Sequence, residues 1–130
     1  MSTVLERFHE LGVIPVVVLE DAKDAEALGK ALCDGGLPVA EVTFRTDAAE
    51  ESIRIMASKF PDMLVGAGTV LTVEQARRAV AAGAKFIVSP GFNPKVVQYC
   101  VDNDIPVTPG IQTPTEIEMA LELSLIHISE

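Results

Sequence analysis

Two kinds of segment alternate along this chain, and that alternation restricts its fold more than any other feature. Five short apolar runs rich in β-branched residues read as buried strands: Val13–Leu19, Val39–Arg45, Leu64–Thr69, Phe86–Pro90 and Pro106–Ile111. Between them, apolar residues recur at helical spacing, in the sets Ala25, Leu28, Leu32, then Ile53, Met56, Ala57, Phe60, then Ala76, Val80. The strand starts lie 26, 25, 22 and 20 residues apart, which leaves room for one strand and one helix per unit. Parallel neighbours need a crossover and the intervening helix supplies it, so the pattern specifies an α/β fold with a parallel sheet. Five units in 130 residues suit a small open sheet. A closed (β/α)8 barrel takes eight units and ~250 residues. On length alone the open sheet is favoured.

Signals at the helix boundaries agree with the period. Thr72-Val-Glu-Gln75 and Thr113-Pro114-Thr115-Glu116 read as capping boxes, the second with proline at the first helical position. Asn93-Pro94 and Asp47-Ala-Ala-Glu50 mark two further starts. Gly35-Gly36, Gly83 and Asn103 stand where helices are expected to stop in a left-handed turn.

Composition removes several function classes. With 19 acidic against 10 basic side chains, the net charge of −9 repels nucleic acid and anionic membrane surfaces. A hydrophobic content of 48% excludes a disordered chain, and two cysteines, Cys33 and Cys100, make no disulfide scaffold. The longest apolar run, Gly12 to Leu19, is less than half a bilayer span and follows no charged leader, so a soluble cytoplasmic protein is expected. His9-Glu10 has no second histidine at helical spacing and the cysteines are 67 residues apart, so no zinc site can be read and no metal is expected. Gly66-Ala-Gly68 begins like a dinucleotide fingerprint, but Leu71 occupies the third glycine position. No histidine stands near the strand ends to serve a serine-type triad.

The second strand breaks the apolar rule. In Val39-Ala-Glu-Val-Thr-Phe-Arg45, alternation puts Glu41, Thr43 and Arg45 on one face and Ala40, Val42 and Phe44 on the other. A parallel strand is covered by apolar packing on both faces, so charged groups there need an explanation. One is a Glu41–Arg45 ion pair or a strand at a wet sheet edge. The other is a polar site in which Glu41 moves protons and Arg45 holds an anion. Thr69, Ser89 and Thr108 add hydroxyls beside glycines at the carboxyl ends of later strands, where α/β folds place ligands. Ser89 and Thr108 serve equally well as turn caps, whereas Thr72 already caps the helix after Thr69.

Four motifs in order carry a family resemblance: Glu41-Val-Thr-Phe-Arg45, Val65-Gly-Ala-Gly-Thr-Val-Leu71, Ser89-Pro-Gly91 and Pro109-Gly-Ile111. With the opening Val13-Ile-Pro-Val-Val-Val18, they resemble the bacterial 2-keto-3-deoxy-6-phosphogluconate (KDPG) / 2-keto-4-hydroxyglutarate (KHG) aldolases. The resemblance implies a (β/α)8 TIM barrel, of which this chain holds about the first five βα units, and so overrides the open sheet. It implies a class I aldolase that cleaves its 2-keto acid to pyruvate and an aldehyde through a lysine Schiff base, without a cofactor. It implies a homotrimer for the full-length family member. Within it, Glu41 matches the general acid/base, Arg45 and Thr69 match residues that hold the pyruvate carboxylate, and Pro90 matches a wall of the pocket.

The Schiff-base lysine of the family sits on the sixth strand, and no lysine of this chain matches it. Lys23, Lys30, Lys59 and Lys95 fall on helices, and Lys85 precedes a strand at the amino end of the sheet, away from the ligand face. Residues 1–123 are therefore expected to form a partial barrel domain that is inactive by itself, with open first and fifth strands. Ser124 to Glu130 lacks the family's turn glycine and lysine, and reads as a non-family tail of artefactual origin.

Overall fold

The apolar runs become a parallel sheet, in which the second and third strands bury both faces while the first and last stay partly exposed. The computed structural model describes residues 3–122, so the tail expectation for Ser124 to Glu130 lies outside the described residues. The elements run α1 (Val4–Leu11), β1 (Val16–Val17), a short 3-10 turn (Ala22–Asp24), α2 (Ala25–Asp34), β2 (Val39–Thr43), α3 (Ala49–Lys59), β3 (Leu64–Gly68), α4 (Val73–Ala82), β4 (Ile87–Ser89), α5 (Pro94–Asp102), β5 (Val107–Pro109) and α6 (Pro114–Glu122).

The strands pair side by side in sequence order, β1-β2-β3-β4-β5, all parallel. An open doubly wound sheet reverses its strand order at a switch point and carries helices on both faces. Here the order never reverses, so crossovers of one hand put the crossover helices α2–α5 on one side, as in an arc of a barrel. The length-based preference for an open sheet is thus corrected by strand order. The first and fifth strands each pair on one side only among the described residues, and Val16 is 62% exposed.

Two clusters define the two faces. Under the helices, Ala40, Val42, Val65, Ala67 and Ile87 pack against Ile53, Met56, Ala76, Ala79, Val96 and Cys100. On the inner face, Val39, Leu64 and Phe86 lie at the amino ends of β2, β3 and β4 and are covered by Val4, Phe8 and Leu11 of α1. The Phe8 and Phe86 rings meet edge to face with centroids 4.9 Å apart, the arrangement favoured by their quadrupoles. Helix α1 thereby closes one end of the arc and leaves the other, at the strand carboxyl ends, for the polar residues.

The boundaries follow local chemistry with five departures. The strand ladders are shorter than the apolar runs, most of all β1, because an edge strand is defined by one neighbour only. Ala48, not Asp47, occupies the cap of α3 and makes no side-chain bond there; the Glu50 carboxylate is held by Arg54 and Arg78. Asn103 does not turn left-handed; Asp104 does, at φ +56°. At Gly35-Gly36 only Gly36 is left-handed, at φ +83°. The caps at Thr72, Asn93 and Thr113 form as expected, each accepting from a first-turn N–H. Gln75 completes its box one residue early, accepting from the Leu71 N–H at 2.8 Å.

Candidate active site at the carboxyl ends of the strands

Glu41 sits in the middle of β2, beside Gly66 of β3 on one side and Val16 of β1 on the other. Its side chain leans forward along β3: a Cβ placed on Gly68 would lie 2.0 Å from its Oε2 and 2.7 Å from its Cδ. Burial raises the Glu41 carboxyl above the ordinary glutamate range, with no charge or hydrogen bond contributing. A half-buried carboxyl raised by desolvation alone holds its proton more readily than a solvated glutamate and can still give it back.

Arg45 is not its counter-ion. β2 ends at Thr43, so the alternation that set Glu41 and Arg45 on one face stops before the arginine. Arg45 lies in the following turn, exposed, lining a pocket of about 200 Å³ with Phe44, Asp47, Gln75 and Arg78 that does not include Glu41. Among the described residues Arg45 makes no ion pair, whereas Arg78 binds Glu50 at 2.6 Å and Arg54 shares the same carboxylate at 3.3 Å. Those arginines, Arg78 first, hold the Glu50 carboxyl below its usual range. The ion-pair explanation for β2 is thereby removed, and so is the shared face.

Thr43 is buried, and its hydroxyl donates to the Val17 carbonyl at 3.3 Å, while Thr46 donates to that of Leu19 at 2.5 Å. These bonds tie the exit of β2 to β1. Thr69, half-buried, holds φ +56°, an outlier for a β-branched residue. Such conformations store roughly 1–3 kcal/mol and concentrate at functional sites. Pro90 is exposed, and its carbonyl oxygen presses on the backbone of Gly110, where a Cβ would come within 2.2 Å. The Ser89 hydroxyl is buried with no partner among the described residues, so it caps no turn. Thr108 is exposed.

Two contributors escape a reading by motif. Gly66 and Gly68 face the same side as Glu41, and each gives space to a neighbour: the Phe86 ring lies where a Gly66 Cβ would be, at 2.3 Å, and the Glu41 carboxyl does the same at Gly68. Glycine at two successive inward positions of a strand was the available signal. The lysines lie as the sequence implies, except that Lys23 is on the 3-10 turn. Burial pushes the Cys100 thiol up to about 11, which leaves it unreactive. Among the described residues no three His, Cys, Asp or Glu side chains gather as metal ligands, and no helix is long and apolar enough to cross a membrane.

Known proteins resemble this chain in sequence and in fold. The family described as "Aldolase: KDPG and KHG aldolase" matches residues 4–129. A 2-dehydro-3-deoxy-phosphogluconate aldolase of Treponema pallidum (strain Nichols) is 53% identical over 125 residues, covering 96% of this chain and 60% of the relative. The enzyme of the same name from Haemophilus influenzae is 46% identical over 122 residues, covering 94% and 58%. A crystal structure of KDPG aldolase from Legionella pneumophila, with pyruvate captured as a covalent carbinolamine intermediate, superposes with a TM-score of 0.80 at 40% identity, over 85% of this chain and 53% of that one. The chain therefore spans about 60% or less of the length of these relatives. The family match over residues 4–129 and the 53% identity to a named relative show that the chain belongs to the KDPG and KHG aldolase family.

Proposed function

We propose that this chain carries the acid–base and carboxylate-binding half of a class I aldolase site, which cleaves 2-keto-3-deoxy-6-phosphogluconate, 2-keto-4-hydroxyglutarate or both to pyruvate and an aldehyde. The observation that carries the reading is Glu41: a carboxyl half-buried on a glycine-faced strand, raised by desolvation and without a cationic partner among its influences. In this reading an amine adds to the substrate ketone and loses water to give a cationic Schiff base, which withdraws electrons from the bond to be cleaved. Glu41 delivers the proton that lets the carbinolamine hydroxyl leave as water. It takes the proton from the substrate hydroxyl as the carbon–carbon bond breaks, and returns one to the pyruvate methyl carbon. Arg45 and Thr69 hold the carboxylate, as suits a guanidinium fork and a hydroxyl, with Pro90 at the wall. The exposed Arg45, which makes no ion pair among the described residues, and the strained Thr69 backbone support those roles, although Arg45 must swing out of its present pocket to reach a substrate held beside Glu41.

The reacting amine is not among the chain's five lysines, all of which lie on helices, turns or the amino side of β4. The same reading includes a cytoplasmic location and a homotrimer for the whole family protein. The test is borohydride reduction in the presence of pyruvate, read by intact mass, beside a pyruvate titration followed by the NMR signals of Glu41, Arg45 and Thr69. The expected result is no reduced adduct on this chain and pyruvate-dependent shifts at those residues. A trapped adduct overturns the lysine assignment, and unshifted signals overturn the pocket.

A further inference from the structure

We infer that Gly68 is a positioning residue for Glu41: its missing side chain leaves a notch in β3 that seats the carboxylate, and any larger residue there displaces it. The inference rests on Glu41 being the acid/base proposed above and deepens that reading. The three atoms nearest to the place a Gly68 Cβ would occupy all belong to Glu41: Oε2 at 2.0 Å, Cδ at 2.7 Å and Cγ at 2.9 Å. Real Cβ atoms essentially never approach neighbours below 3.0 Å, so the glutamate must move. The backbone does not require glycine, because the left-handed glycines are Gly12, Gly36 and Gly83 and not Gly68. Glycine inside a strand weakens it through chain entropy, so its presence calls for a close approach, and here the approaching group is the carboxylate. Gly66 repeats the device two residues earlier for the Phe86 ring. Successive inward positions of β3 thus receive a side chain from each neighbouring strand, the ring from the β4 side and the carboxylate from β2.

What must yield to a Cβ at Gly68 is a flexible side chain rather than backbone. Glu41 can rotate toward solvent, so the substitution acts first on where the carboxylate sits and only second on the fold. The experiment is a pH titration of the Glu41 carboxyl carbon by NMR in the full chain, parent against Gly68→Ala, with Glu41→Gln to assign the signal. The expected result is a midpoint raised in the parent that falls back toward an ordinary glutamate in Gly68→Ala. An unchanged midpoint overturns the inference. Thermal melts give an independent arm. Gly68→Ala introduced into a Glu41→Ala background should melt no lower than Glu41→Ala alone, since the notch is then empty and alanine suits a strand better than glycine. An equal loss with and without Glu41 overturns the inference, including the case in which Gly68→Ala fails to fold in both backgrounds. Pyruvate added to the parent separates the two readings: a Glu41 signal blind to pyruvate sinks the acid–base role, while the Gly68→Ala titration decides the notch regardless.

Discussion

Phe86→Ala tests the inner floor on which the site rests. Phe86 is 2% exposed, lies over Gly66 and meets Phe8 of α1 edge to face. Burying an aromatic side chain removes roughly 150–250 Å² from water, worth ~4–6 kcal/mol as an upper bound at ~25 cal/mol per Å². Measured Phe→Ala substitutions fall at about 3–5 kcal/mol. The Gly66 side of the void has no side chain with which to fill it, so the site collapses poorly and ~4 kcal/mol is expected. That is a large part of the ~5–15 kcal/mol that holds a domain together. Urea denaturation followed by circular dichroism measures it, with Phe8→Ala and the double variant completing a cycle. The edge-to-face contact predicts a coupling of about 0.5–1.5 kcal/mol between the two rings. A loss below ~2 kcal/mol, or no coupling, would refute the view that α1 closes the floor through this pair.

Three further outcomes follow from the same contacts. Burial raises Glu41 in the folded state, so the folded protein binds this proton more readily than the unfolded chain, and stability falls as pH rises from the ordinary carboxylate range through the raised value. Glu41→Gln should therefore match the parent in acid and exceed it at neutral pH in urea midpoints; a variant weaker at neutral pH contradicts the desolvation argument. Ser52 buries its hydroxyl in α3 with no partner among the described residues, so Ser52→Ala should stabilise by ~0.5–1.5 kcal/mol in the same assay, and a loss would mean the hydroxyl is bonded. Gly83 ends α4 at φ +117° with the Ala57 Cβ 2.6 Å from where its own would stand. Gly83→Ala should cost about 1–3 kcal/mol, and Ala57→Gly in that background should restore only the steric share.

Local chemistry in the sequence carried the element order, the parallel sheet and most helix caps. Apolar period and capping side chains act within a few residues, so Thr72, Asn93 and Thr113 appear in the structure as they read. The anomaly of Glu41 was equally legible, because a carboxylate in a buried strand contradicts its own surroundings. Where the chain runs from one local rule into another, period misleads. The alternation through Arg45 continued on paper, but the strand ended at Thr43 and the arginine turned into a different pocket.

Residue order along the chain is enough to show which face of each element is apolar, where helices begin, and, through four ordered motifs, the family. The choice between open sheet and barrel arc needed the folded molecule, since strand order records contacts between residues far apart in the chain and leaves no periodic trace. Folding likewise set α1 as the floor through Phe8 and Phe86, and made Gly68 the seat of Glu41. A glycine declares that room is needed. Which neighbour fills that room is settled only when the strands are side by side.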